Sequence, residues 1–299
     1  MRLPIPVVFA SVYAGAVLAV PHADWNPAPP CHACAGWLQC DHSPRNDYPI
    51  HNSCNATERR MIRRGLQDAM TLAARARDHV LWYGKDSALY RKYFGDGPTS
   101  EVIGNLERVV SGKKWKTLFR CDDPDGNCKH FPKYGGHWRG ENATDETVIC
   151  ALSYHTRLYL DYFCTRGYTV SGSPRNTYWG TDMLHRLFHM PAIGESYVDH
   201  FASSYEDVMH LAKYNSTYAT RDSNTLQYFA ADVYGHEVAV PHFGCPGKWE
   251  EEKSTTTTMP PTTQPTQDTP TPTVPQPPAP TVHVPPNCHT HEGGELHCL

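Results

Sequence analysis

His185 and His189 stand four residues apart in the stretch MLHRLFHMP. Side chains at i and i+4 share one face of a helix, so two imidazoles at this spacing can converge on one metal ion. The hydrolytic version of the spacing, H-E-x-x-H, puts a glutamate beside the first histidine as general base for a metal-bound water. Here that position is Arg186. A guanidinium accepts no proton at physiological pH, so the stretch keeps the ligands and lacks the base. Alone, such a pair is more often packed or exposed than ligating. Downstream, PAIGESYVDHF offers a turn at Gly194 and then adjacent Asp199 and His200. Either of these is a third ligand for a three-ligand zinc site with one open position. Asp182 is a carboxylate available to Arg186; the alternatives are a working metallopeptidase whose base comes from elsewhere, for instance Glu195, and an adhesive surface glycoprotein in which zinc only stabilises the fold.

A second constellation closes the chain. In CHTHEGGELHC, His289, His291 and His297 lie between Cys288 and Cys298, and Gly293-Gly294 lets the segment double back. Outside the cell the two cysteines are expected to pair and leave the histidines for zinc; reduced, they would be zinc ligands themselves. A third group, CHACAGWLQC with Cys31, His32, Cys34 and Cys40, is balanced between an extra disulfide and an accessory metal site. His236-Glu237 opens like H-E-x-x-H, but Val240 occupies the place of the second histidine, so no site is expected there.

The elements that position these residues fall into zones. Residues 1–19 read as a secretory signal peptide, with one basic residue, an apolar run and small residues at Val17 and Ala19. A Pro/Cys-rich arm follows over 20–46, and a mixed segment over 47–250 is long enough for one core. Residues 251–286 form a Thr/Pro stalk that cannot bury a core, and 287–299 are the Cys/His tail. No run of spanning length follows the signal, and a formal net charge of −4 leaves no footprint for nucleic acid. Eleven cysteines in a secreted chain mean mostly disulfides, with Cys54, Cys121, Cys128, Cys150, Cys164 and Cys245 as partners of undetermined connectivity. The sequons at Asn55, Asn142 and Asn215 mark surface glycosylation.

Within the core segment, Met61, Ile62, Leu66, Met70, Ala73 and Leu81 share the face of a long helix that Gly84 ends. Ser100 is the expected cap of a shorter helix that stops at Gly112. WKTLFRC and ETVICAL read as strands, with turns in DDPDGN and YGGHWRGEN between them. Three or four helices are predicted between Tyr154 and Val240, one carrying His185 and His189 and ending before Pro191. The fold class is α+β, mainly helical, with a small sheet.

The stretch HRLFHMPAIGESYVDHFASSY with RDSNTLQYFA resembles the zinc region of deuterolysin-type (aspzincin) metallopeptidases. That resemblance implies a zincin-like domain over 47–250, with His200 where the third-ligand aspartate sits and Tyr205 at the motif's closing tyrosine. Arg186 in place of glutamate, and Tyr197-Val198-Asp199-His200 in place of G-T-x-D, are departures. YPIHNSCNATERR, LFRCDDPDGNC, GGHWRGENATDETVIC, MLHRLFHMPAIG and NCHTHEGGELHC are together similar to the secreted fungal family of pH-regulated antigens, major allergens and zincophores. That similarity implies extracellular zinc scavenging with a plasma-membrane zinc importer or cell-surface receptor as partner. It also implies binding of host complement regulators and plasminogen.

Overall fold

The computed structural model describes residues 47–248, together with the backbone of 288–290 and 296–298. The signal, the arm with Cys31, Cys34 and Cys40, the stalk and His291 lie outside the described residues.

Helix α1 (Ala56–Tyr83) opens on a reciprocal cap. Asn55 Oδ1 accepts the N–H groups of Thr57 and Glu58, and Glu58 Oε2 accepts the Asn55 N–H at 2.7 Å. It ends at Gly84, with φ +52°, as the sequence predicts. Its buried stripe runs through Ile62, Leu66, Ala69, Leu72, Ala73, Ala76 and Val80. Leu81, expected on that stripe, is 60% exposed, because one step beyond Val80 turns the side chain about 100° away.

Helices α2 (Ala88–Phe94) and α3 (Thr99–Ser111) follow; α3 is preceded by Pro98 at the cap position rather than capped by Ser100, and Gly112 ends it as expected. Strand β1 (Leu118–Arg120), helix α4 (Asn127–His130), and strands β2 (Gly136–Trp138) and β3 (Glu146–Ile149) come next. The sheet order is β1-β3-β2, with β1 parallel and β2 antiparallel to β3. Both strand expectations hold in shortened form, since Lys114–Lys116 coils into a 3-10 turn and Ala151 already starts a helix. Strand β2 falls in a segment read as turns: its three residues are outweighed by the flanking glycines.

The remainder is helix: α5 (Ala151–Thr156), α6 (Trp179–His189), α7 (Pro191–Gly194), α8 (Tyr205–Tyr214), α9 (Ser216–Ala219) and α10 (Ser223–Tyr234). A π-helical turn, Gly235–Ala239, continues α10. At the tail, β4 (Cys288–Thr290) and β5 (Leu296–Cys298) pair antiparallel, with Cys288 opposite Cys298 and His289 opposite His297. The architecture is mainly helical with a small three-stranded sheet. Among the described residues no helix is long and apolar enough to cross a membrane.

Disulfides join Cys54–Cys121, Cys128–Cys150 and Cys164–Cys245. Asn55, Asn142 and Asn215 are all exposed. Helix α6 is the centre of the core: every one of its residues is buried, between α1 on one side and α10 on the other.

Asp68 on α1 sits partly buried where its Oδ2 accepts the Leu160 N–H at 3.2 Å. Burial raises its carboxyl to about 6, against the lowering effect of that hydrogen bond and of Arg64. A carboxyl raised in the folded state destabilises the fold as pH rises between the unfolded value near ~3.9 and about 6. Asp68→Asn keeps an acceptor for Leu160 and has no charge to bury. Thermal melts are therefore expected to show the variant more stable than the parent at pH 7 and equal to it near pH 4.

Candidate metal centre

Helix α6 delivers His185 and His189, and it stops at Met190 because Pro191 begins α7. Helix α7 is one turn long and reverses at Gly194, followed by Glu195 and Ser196 at φ +56° and +53°. Gly194 is required there: a Cβ would lie 1.8 Å from the Phe188 carbonyl oxygen. The reversal brings residues 199–202 back over the end of α6.

Residue 199 is then stitched to the entrance of α10. The Asp199 N–H donates to Arg221 O at 3.0 Å, and the Ser223 N–H donates to Asp199 O at 2.9 Å. In extended backbone, successive side chains point to opposite faces, so Asp199 and His200 cannot both face α6. His200 does. Asp199 is exposed and accepts the His200 N–H on its Oδ1 at 2.8 Å.

The three imidazoles meet through their Nε2 atoms. His189 Nε2 lies 3.1 Å from His185 Nε2 and 3.0 Å from His200 Nε2. The ligand atoms of all three lie within 4.8 Å of one another, and Asp199 is not in the group. For a tetrahedral ion with Zn–N bonds of about 2.05 Å, neighbouring nitrogens are about 3.3 Å apart, so the cluster needs only a slight expansion. His185 is 1% and His189 9% exposed. Ser223 Oγ lies 3.0 Å from His200 Nδ1. As acceptor of an Nδ1 proton, it fixes the tautomer that turns the Nε2 lone pair inward.

The support beneath His200 comes from a residue with no signature of that role in the sequence. Asp222 caps α10 through Thr225 N and Oγ1, at 2.7 and 2.8 Å, and its Oδ1 accepts the N–H groups of Phe201 and Ala202. One buried carboxylate thus anchors both the helix and the loop that carries the third histidine. Burial pushes its pKa up, and these hydrogen bonds pull it back. The Asp-Ser-Asn-Thr run signals the cap. Nothing in it signals the contact with residues 201 and 202.

Arg186 is one residue past His185, about 100° around the helix, and only 3% of its side chain is exposed. Its Nη2 lies 3.1 Å from Asp182 Oδ1, while Arg157 Nε approaches Asp182 Oδ2 at 3.4 Å. The guanidinium lies against strand β2, where a Cβ on Gly136 would fall 2.7 Å from Nη1. Glu195, the substitute base, is 58% exposed and paired with Arg108 Nη1 at 2.5 Å. It is not in the histidine cluster. Among the described residues, two other groups of suitable donors, Cys54 with Glu58 and Cys121, and Asp123 with Cys128 and His137, depend on disulfide sulfurs and so lack a thiolate.

Residues 7–248 match the model of a family named for this very spacing, HRXXH, described as "Putative peptidase family". The chain belongs to the HRXXH family. Among its relatives, Antigen 1 of Emericella nidulans is 52% identical over 254 residues, covering 85% of this chain and 89% of that one. Major allergen Asp f 2 of Aspergillus fumigatus is 49% identical, with 84% of each chain covered. The pH-regulated antigen PRA1 of Candida albicans is 48% identical over 67% of each. A solved zinc peptidase from Grifola frondosa aligns at 12% identity and a TM-score of 0.45, covering 60% of this chain and 97% of its own.

Within this HRXXH member, a carboxylate at position 186 would face Asp182 across the same buried site, with Arg157 as the remaining cation. Removing one partner of a buried ion pair typically costs about 3–5 kcal/mol. Arg186→Glu is therefore expected to lose that much in chemical denaturation, and to gain no peptidase activity.

Proposed function

We propose that the protein is a secreted zinc-binding protein that captures extracellular zinc for the cell and delivers it to a membrane importer or surface receptor. One observation carries this reading. Three inward-facing Nε2 atoms make a zinc cradle, and the position that would hold a hydrolytic base holds an arginine committed to Asp182. Zinc held by three nitrogens keeps one open coordination position, through which a bound water is polarised. Proton abstraction by a placed carboxylate typically contributes ~10²–10⁴ in rate, and no carboxylate belongs to this cluster. A site with ligands and no base suits cargo better than catalysis. The relatives named as antigens and an allergen support placement outside the cell, as do the signal-like start and the disulfides.

In this reading His185, His189 and His200 are the ligands, and Asp199 orients the His200 backbone. The tail histidines His289, His291 and His297, framed by Cys288 and Cys298, form a second capture point. The pairing of Cys288 with Cys298 and of His289 with His297 across β4 and β5 supports that arrangement.

Calorimetry on the full chain with His289, His291 and His297 replaced by alanine isolates the core site. One zinc is expected per chain, with affinity reduced at least 100-fold by a further His185→Ala or His200→Ala. Imidazole binds metal only when neutral, so capture is expected to weaken as the medium is acidified. Unchanged affinity in His200→Ala, or chelator-sensitive cleavage of unfolded protein by the parent, would overturn the reading.

A further inference from the structure

A second cleft lies away from the three histidines. It measures about 730 Å³ and opens between the end of α1, the start of α2 and the π-helical turn after α10. Three of its lining side chains form a linear hydrogen-bonded chain. Ser87 Oγ lies 2.6 Å from His79 Nε2, and His79 Nδ1 lies 2.7 Å from Glu237 Oε1. We propose that Ser87, His79 and Glu237 are a nucleophile, base and positioning carboxylate that hydrolyse small carboxylic esters by acyl transfer.

The protons can be assigned from the partners. The Glu237 carboxylate can only accept, so His79 Nδ1 is the donor to it. In the neutral imidazole Nε2 is left to accept the Ser87 hydroxyl proton, while Ser87 Oγ also accepts the Tyr90 N–H at 3.0 Å. This is the tautomer a general base needs, and both distances are already those of a working nucleophile–base–orienter chain. The imidazole packs against Tyr83 and edge-on against Phe229, at 4.9 and 5.9 Å between ring centroids. Glu237 sits on the π-helical turn, an irregularity often found at functional sites. The His236-Glu237 pair, dismissed as a broken metal motif, thus has a partner 158 positions away in sequence.

The cleft wall sets the substrate class. Trp82, Leu89 and Pro241 offer an apolar surface for an acyl or alkoxy group, and Arg75 and His242 add polar groups to the same wall. In the first step Ser87 Oγ bonds to the ester carbonyl carbon while its proton passes to His79 Nε2. The alcohol leaves with that proton. Water then attacks the acyl-serine, gives a proton to His79 and releases the acid as Ser87 recovers its hydrogen. Ester and water are consumed, acid and alcohol are formed, and no further reactant is needed.

The test uses the full-length secreted protein and an alkyl fluorophosphonate, which reacts covalently with activated serines. Peptide mapping is expected to place the adduct on Ser87, and p-nitrophenyl butyrate is expected to be hydrolysed above the buffer rate. Ser87→Asn keeps a capping acceptor for Tyr90 and removes the nucleophile. It should abolish the adduct and lower kcat/KM at least 100-fold, as should His79→Gln. Glu237→Gln should lower kcat with little change in KM and displace the acid limb of the pH profile, which a purely structural clamp would leave in place. A folded parent protein that forms no Ser87 adduct, or hydrolysis that survives Ser87→Asn, would overturn the proposal.

Discussion

A helix buried on every side cannot carry ionisable side chains unless each finds compensation, because an unpaired buried charge costs several kcal/mol. Helix α6 carries Asp182, His185, Arg186 and His189, all at most 9% exposed. Its polar chemistry is divided between two directions. One holds Asp182 with Arg186 and Arg157; the other holds two imidazoles facing a third. The glycine at 136 lets a strand close over the guanidinium, and the glycine at 194 lets the chain return to supply His200. Sheet and loops are arranged around what α6 must satisfy.

That division gives Arg186 its meaning. A cation beside a metal weakens the site unless its charge is absorbed elsewhere, and Asp182 absorbs it. The arginine at 186 comes with a carboxylate one helical turn earlier, and Arg157 approaches that same carboxylate from a separate segment.

Much of the candidate site was legible in the sequence because it is local. The i, i+4 histidines, the proline stop, the Gly194 turn and the adjacency of Asp199 and His200 all lie between Met183 and His200. Choosing between Asp199 and His200 was not possible there. It depends on a backbone pairing of residue 199 with residues 221 and 223, which only the folded chain displays. Helix α1 was legible through its period and its terminal glycine, and strand β2 was hidden by the glycines around it. The Ser87–His79–Glu237 chain was invisible, because no periodicity links residues so far apart.

X-ray absorption at the zinc edge tests the central claim most directly. The sample is the full chain, loaded with one zinc after His289, His291 and His297 are replaced by alanine. Three imidazole nitrogens near ~2.0–2.1 Å and one oxygen scatterer are expected, with one imidazole fewer in His200→Ala. A sulfur-dominated shell near ~2.3 Å, or an imidazole count unchanged by His200→Ala, would contradict it.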